Sequence, residues 1–337
     1  MCFGGLVVLS ESGFVGPTVW SGSDDKAAPA KLEKLAGIPI ACLELLGQSA
    51  LQRTVQYLRH TGAEAVSLVA KDNVSHLVAG AVGRLAKVIS VQRSADTWTA
   101  AQHVFSDFVK NGLKTVLLVR LGPFVEFDFV DLIQFHRAAS RPVTRISDAH
   151  GPLDFWVLDA VRCSKAEMRL DRIADTKCAD HIASYIYPRY VIRLADASDL
   201  RQFVVDAFLS RCSARPLGTE IRPGVWVDDS AQIDRRARIV APAYVGAGTR
   251  IRASALITRF SNVERDCDID YGTVVESSSI LANTYLGTWL DVSHSVVSGS
   301  KLSHLLRNVT IEIKDPRLIA KTTSELRRRA ILGIRAP

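Results

Sequence analysis

Two stretches of the 337-residue chain place reactive side chains at suggestive spacings. Gly246-Ala247-Gly248-Thr249-Arg250 reads as G-x-G-T-R, a string whose backbone N–H groups and guanidinium could cradle phosphate. Asp266-Cys267-Asp268-Ile269-Asp270 gathers three carboxylates and a thiol, which on paper is a metal site. Of the eight histidines, His294 and His304 lie near these stretches and are candidate bases. His60, His76, His103, His136, His150 and His181 show no H-x-x-x-H or metal-like grouping, and helix surfaces or loops explain them. The six cysteines (Cys2, Cys42, Cys163, Cys178, Cys212, Cys267) form no C-x-x-C pair and have no zinc-ligand spacing. Scattered thiols of this kind fit a reducing compartment.

Both stretches fall inside a repeat. Aliphatic residues recur every sixth position at Val227, Ile233, Ile239, Val245, Ile251, Ile257, Val263, Ile269 and Val275. If a third of residues were aliphatic, this would arise by chance in roughly one start in twenty thousand. Four residues after each aliphatic stands a small side chain: Ala231, Ala237, Ala243, Thr249, Ala255, Ser261, Cys267, Thr273 and Ser279. A period of six fits neither a helix nor one long strand. It fits a prism of short parallel strands, with the aliphatic pointing inward and the small residue at a crowded corner. Three hexads then close a coil, and coils stack about 4.8 Å apart. After Val275 the step is five, to Ile280, then six to Leu286 and Val292, and the small-residue rule fails at Leu290 and Val296. This fading reads as a capping coil. In this register Gly246–Arg250 is an ordinary rung, because a phosphate loop must open towards a helix. Cys267 and Ile269 point inward, and Asp266, Asp268 and Asp270 face solvent. The repeat resembles the left-handed β-helix of hexapeptide-repeat proteins. The handedness comes from that resemblance, since ordinary crossovers are right-handed.

Upstream the periodicity changes. Strands are expected at Leu6–Ser10, Ala65–Ala70, Lys87–Val91, Thr115–Val119, Val143–Ile146 and Phe155–Leu158. Helices are expected at Ser49–His60, Asn73–Val82, Trp98–Lys110, Phe129–Ala138 and Asp199–Ser210. The alternation argues for a mainly parallel, Rossmann-like α/β sheet covered on both faces, with ligands beyond the carboxyl ends of its strands.

Order and segment lengths resemble the sugar-1-phosphate nucleotidyltransferases, and among them the mannose-1-phosphate guanylyltransferases. Leu35-Ala36-Gly37-Ile38-Pro39-Ile40, a helix to Thr61-Gly62-Ala63, and Val66–Val69 look like the family's V-x-G-K-P-L, helix, x-x-G, strand. Thr115–Phe124 followed by Phe129–His136 looks like its strand, G-D turn and helix with terminal His. Phe155–Asp159 looks like its G-I-Y-V-L-D strand. The family reaction is in-line attack of a sugar phosphate on a nucleoside triphosphate. It needs N–H groups and cations around the phosphates and a carboxylate for Mg²⁺.

The matching positions depart from that requirement. The phosphate loop, G-G-x-G-T-R in the family, falls on Ser10, Glu11, Ser12 and Gly13, with a carboxylate where phosphates approach and no Arg. Lys31 or Lys34 could replace the family's lysine, although surface lysines are the plainer reading. The base-reading segment falls on Trp98 and Thr99, with Trp98 filling the space of a glycine. The metal-binding Asp position is Pro123, after Gly122, and proline offers neither carboxylate nor N–H. Glu126 and Asp128 lie just beyond and could supply a displaced ligand, or could simply solvate the loop and cap the next helix.

The resemblance therefore implies a homologue that has lost catalysis, without cofactor, acting as a structural, regulatory or sugar-nucleotide-sensing subunit. Assembly through the β-helix and a catalytic paralogue as partner follow from the same resemblance. Two rivals remain. One is an active divergent nucleotidyltransferase using Mg²⁺ with Lys31, Lys34, Glu126 and Asp128. The other is a hexapeptide-repeat acyltransferase with His294 or His304 as base.

Length and charge complete the picture. Two domains and a tail are expected: 1–220 α/β, 221–312 β-helix, and 313–337 a basic amphipathic tail. Residues 314–337 carry seven Lys/Arg against two acids, so most of the net +7 resides there. The nearly neutral remainder argues against a nucleic-acid partner. Leu326, Ala330, Ile331 and Ile334 give the tail one apolar side, expected to cap the β-helix or a neighbouring subunit rather than lie on a membrane. No apolar run approaches the length of a membrane span, and Leu6–Leu9 is too short for a signal peptide, so a cytoplasmic location is expected.

Overall fold

The computed structural model describes residues 3–9, 35–93, 95–121, 124–126, 129–174 and 182–322. These residues form a mixed α/β structure in two compact units. The first contains residues 3–9 and 49–193, and the second contains 35–48 and 194–322. The division does not follow the expected boundary at 220. Residues 194–220, together with an early segment of the chain, cluster with the repeat region instead.

In chain order the first part carries β1 (Phe3–Val8), the short strands β2 (Glu44–Leu45) and β3 (Gln48–Ser49), α1 (Ala50–His60), β4 (Ala65–Lys71), α2 (Asp72–Val82), β5 (Lys87–Val91), α3 (Asp96–Lys110) and β6 (Thr115–Arg120). There follow β7 (Phe124–Val125), α4 (Phe129–Ala139), β8 (Val143–Asp148), β9 (Gly151–Asp159), α5 (Ala160–Lys165), α6 (Leu170–Ala174), β10 (Ile182–Ile186), β11 (Val191–Ile192) and α7 (Ala197–Phe208). α1 begins at a capping box in which Ser49 and Gln52 satisfy each other's backbone N–H. Its Leu51, Val55 and Leu58 are buried, and the chain leaves it through Gly62 at φ 93°. The main sheet has the order β10-β8-β9-β6-β1-β4-β5. β1, β4, β5 and β6 run parallel, while β9 is antiparallel to both neighbours. β9 reverses because only a tight turn joins it to β8, and a parallel neighbour would require a crossover. Leu6, Val8, Leu118, Trp156 and Leu158 form the buried centre of one face under α3, α5 and α6.

The second unit is built on three ladders. Val225–Val227, Ala243–Val245, Ser261–Val263, Ser279–Ile280 and Ser295–Ser298 form the first. Gln232–Ile233, Arg250–Ile251, Asp268–Ile269 and Thr284–Leu286 form the second, and Arg238–Ile239, Leu256–Thr258, Val274–Glu276 and Asp291–Ser293 the third. All these pairs are parallel. Ile233 pairs with Ile251 and Ile251 with Ile269, an offset of 18 residues. Each hexad thus meets the hexad three positions on. The repeat aliphatics from Val227 to Val292 share one core.

Corner residues explain the small-residue rule. Thr249, Ala255, Ser261 and Thr273 are fully buried. Thr249 Oγ1 donates to the Glu264 carbonyl at 2.6 Å and Cys267 Sγ to Leu281 at 3.2 Å. A larger side chain would displace these bonds. The rule fails at Leu290, which follows Thr273 at its corner, but at the other two corners it shifts rather than ends. The five-residue step moves the corner hydroxyl to Ser278, which donates to Val292 O as Ser261 does to Val275 O. Ser295 follows, its N–H donating to Ser278 Oγ, and buried Thr284 bonds the Gly299 N–H. The register becomes 17, with Ile269 opposite Leu286. One backbone change accounts for it: the corner turned by two left-handed residues, Arg259 and Phe260, is turned by Ser277 alone one rung later and by His294 after that. Antiparallel strands close two ladders. Lys301–His304 and Val309–Glu312 follow Ser295–Ser298, and Ile319–Lys321 lies against Thr284–Leu286.

A buried carboxylate ties the early segment to this unit. Glu264 is fully buried and accepts from the N–H of Leu46 at 2.7 Å, the N–H of Gly47 at 3.0 Å and Asn262 Nδ2 at 2.7 Å. From α7, Arg201 donates to Ser279 Oγ at 2.9 Å, Asn262 Oδ1 at 3.2 Å and the Phe260 carbonyl at 2.9 Å. Burial outweighs these hydrogen bonds and raises Glu264 to about 7. A raised carboxyl contributes stability that is complete below its unfolded value near 4.5 and is lost as pH rises through about 7. Denaturant titrations should therefore show about 3 kcal/mol less stability in the second unit at pH 8 than at pH 4.5 from this group. Glu264→Gln should flatten that dependence while lowering stability at acid pH, because its amide presents donors to donors. An unchanged pH slope in the variant would remove Glu264 as the source.

Ile269→Ala, in the middle of its ladder, should cost about 2–5 kcal/mol in urea unfolding. The partly exposed neighbour Arg250→Ala should change little.

Candidate functional site

Because β1, β4, β5 and β6 are parallel, the segments that follow them leave from one edge of the sheet, where ligands bind in open α/β sheets. Of the residues the sequence placed there, Ser10, Glu11, Ser12, Gly13, Lys31, Lys34, Gly122, Pro123 and Asp128 lie outside the described residues. Trp98, Thr99 and Glu126 are described. Trp98 and Thr99 stand in the first turn of α3, which follows edge strand β5. Trp98 is half-buried against the sheet core, and Thr99 is exposed. Buried Thr97 is the inward residue of this turn. Glu126 is half-buried after β7, with its N–H donating to the Tyr190 carbonyl at 3.3 Å. β1 and β4 stand between β5 and β6, so the structure sets Trp98 and Glu126 along the same edge but after non-adjacent strands.

The sequence reading missed the charged group at the end of β6. Arg120 is its last residue and grips Asp154 of β9 through Nη2 at 2.7 Å and Nε at 3.1 Å. Asp154 lies in a bulge: Ile146 pairs with Phe155 but Ser147 pairs with Pro152, leaving Leu153 and Asp154 unpaired in the ladder. Asp154 is left-handed at φ 59° and only 7 % exposed. A second guanidinium, Arg145 of β8, interacts with the same carboxylate and with Arg120. Burial holds Arg145 below the ordinary arginine range, Asp154 opposes that shift and Arg120 adds to it. Arg145 stands in register with Trp156, which stands in register with Leu118, so it enters the apolar face two residues short of Arg120. The available signal was a cation inside the otherwise strand-like Val143–Ile146.

Nearby, Arg193 pairs with Asp148 at 2.6 Å. His136 is buried on α4, with Nδ1 2.7 Å from Thr144 Oγ1. This corrects its expected surface position. Burial lowers its pKa, with the Asp159 carboxylate opposing.

The two suggestive stretches of the repeat resolve differently. Gly246–Arg250 is a rung, with Thr249 buried at the corner and Arg250 paired in its ladder. In the acidic stretch, Asp268 does not face solvent: it is 6 % exposed and pairs with Arg252 at 3.2 Å. Asp270 is also engaged, accepting from Tyr285 Oη at 3.0 Å. No group of three His, Cys, Asp or Glu among the described residues is placed to hold a metal ion. His294 is a half-buried corner residue at φ 46°, and His304 Nδ1 accepts from the Arg307 N–H at 3.3 Å. The tail from Ser324 lies outside the described residues. No described helix is long and apolar enough to cross a membrane. No protein-family model matches the chain, and no curated protein matches it.

The Arg120–Asp154 pair should prove coupled. A double-mutant cycle of Arg120→Ala and Asp154→Asn, read by urea unfolding, should give about 1 to 3 kcal/mol of interaction energy. Additive losses would mean the pair contributes only packing.

Proposed function

We propose that this chain is a noncatalytic homologue of the sugar-1-phosphate nucleotidyltransferases. Its first unit is the Rossmann-like nucleotidyltransferase body and its repeat a left-handed β-helix. It acts as a structural, regulatory or sugar-nucleotide-sensing subunit in sugar-nucleotide or cell-surface polysaccharide metabolism. A cytoplasmic location, self-association through the β-helix and an active paralogue as partner belong to the same reading.

One observation carries the loss of catalysis. At the exit of β6, where the family reaction needs a carboxylate for Mg²⁺, the chain runs from Arg120 through Leu121 to Gly122-Pro123. The carboxylate facing that exit, Asp154, is held by Arg120. A guanidinium on Asp154 competes directly with a metal for its oxygens. The β-helix reading is supported by three ladders that change offset together, from the 18 residues of three hexads to 17 after the five-residue step.

Purified protein incubated with Mg²⁺, each nucleoside triphosphate, and mannose- or glucose-1-phosphate should release no pyrophosphate above background. Turnover abolished by Asp128→Asn would replace this reading with that of a divergent active enzyme. Coenzyme A binding lost in His294→Ala would favour acyl transfer.

A further inference from the structure

The charge balance at the end of β6 is incomplete. Arg120 and Arg145 share one carboxylate, and the hydrogen bonds of Asp154 go to Arg120. The Nε of Arg145 is buried and has no hydrogen-bond partner among the described residues. Arg145 as a whole is half-buried, and a guanidinium drawn partly out of water without a full set of acceptors is unfavourable in itself. Its burial is reflected in a lowered proton affinity. Three features suggest that this cost serves a ligand. The group lies towards the edge from which the parallel strands release their loops. The bulge at Leu153-Asp154, with Asp154 in a left-handed conformation, fixes the carboxylate against Arg120 rather than between the two arginines. The planar fork of arginine matches phosphate oxygens better than any other side chain.

We propose that Arg145, with Arg120 beside it, forms an anion subsite that takes a phosphoryl group, either of free pyrophosphate or of a nucleoside diphosphate. The subsite rests on the sugar-nucleotide reading only for the second source. Asp154 sets its specificity: it neutralises one guanidinium, and among the described residues that leaves one unit of positive charge for the ligand. Arg145 is a binding residue and Asp154 a positioning residue.

The test uses the full chain. Isothermal titration with pyrophosphate, GDP-mannose and UDP-glucose at low salt should show binding to the native protein by at least one of them. Arg145→Gln should weaken that binding at least tenfold, and Arg145→Lys, which keeps the charge but loses the fork, should fall between. The thermal midpoint of unliganded Arg145→Gln should equal or exceed that of the native protein, because a half-buried charge without a full set of acceptors is removed. Pyrophosphate bound through Arg145 with neither sugar nucleotide bound would uphold the subsite and remove the sensing function. A sugar nucleotide bound equally well by Arg145→Gln would overturn the subsite and leave the sensing function standing. No binding of any of the three would overturn the subsite.

Discussion

Parallel main-chain pairing between hexads 18 residues apart is the constraint from which the second unit follows. A hexad alone buries one aliphatic side chain and leaves its N–H and C=O groups unsatisfied. Only when each strand meets the one three hexads on do the aliphatics gather into one core and the backbone groups find partners. The corners must then be narrow, which is why Thr249, Ser261 and Thr273 are buried and spend their hydroxyls on main-chain carbonyls. The same narrowness forces left-handed residues into line: Gly248, Asp266 and Asn283 at one corner, and Ser254, Gly272 and Trp289 at the next.

That regularity made the repeat legible from sequence. A spacing of six can be counted, and of the core residues counted in this way the structure buries all but Ile233, which is partly buried. The α/β elements were nearly as legible, because Leu51, Val55 and Leu58 or Ala101, Val104 and Phe108 carry a helical period. What escaped detection depends on partners far away in sequence. Nothing within Gly151–Asp159 reveals that it runs antiparallel to both neighbours, since strand direction is set by the turn that precedes it. Asp268 reads as a surface carboxylate until Arg252, from the rung below, covers it. Glu264 reads as one more polar rung residue, and its burial depends on Leu46 and Gly47, which lie more than two hundred residues away. At the candidate site, Trp98 and Glu126 could be placed on their elements from sequence, but the Arg120–Asp154–Arg145 group depended on a bulge with no local signature.

The two units respond to protons in opposite senses. Glu264 in one is a raised carboxyl, so its contribution weakens as pH rises through about 7. His136 in the other is a depressed imidazole, so its contribution is present above its ordinary value of 6.5 and is lost as pH falls. Neither group faces solvent, and each derives its shift chiefly from burial. Just below pH 6.5 the two slopes oppose each other.

The corner that loses a residue has a consequence for how this chain can change over evolution. Arg259 and Phe260 turn it in one rung, Ser277 in the next and His294 in the third, yet the strands on either side keep their partners. Two lengths of loop thus already coexist at one vertex of the same molecule. Insertions and deletions should accumulate there before they appear at the other two corners, where a change of one residue would rotate an aliphatic out of the core. That vertex is where a lineage could graft a longer loop, and with it a new binding surface, without rebuilding the scaffold.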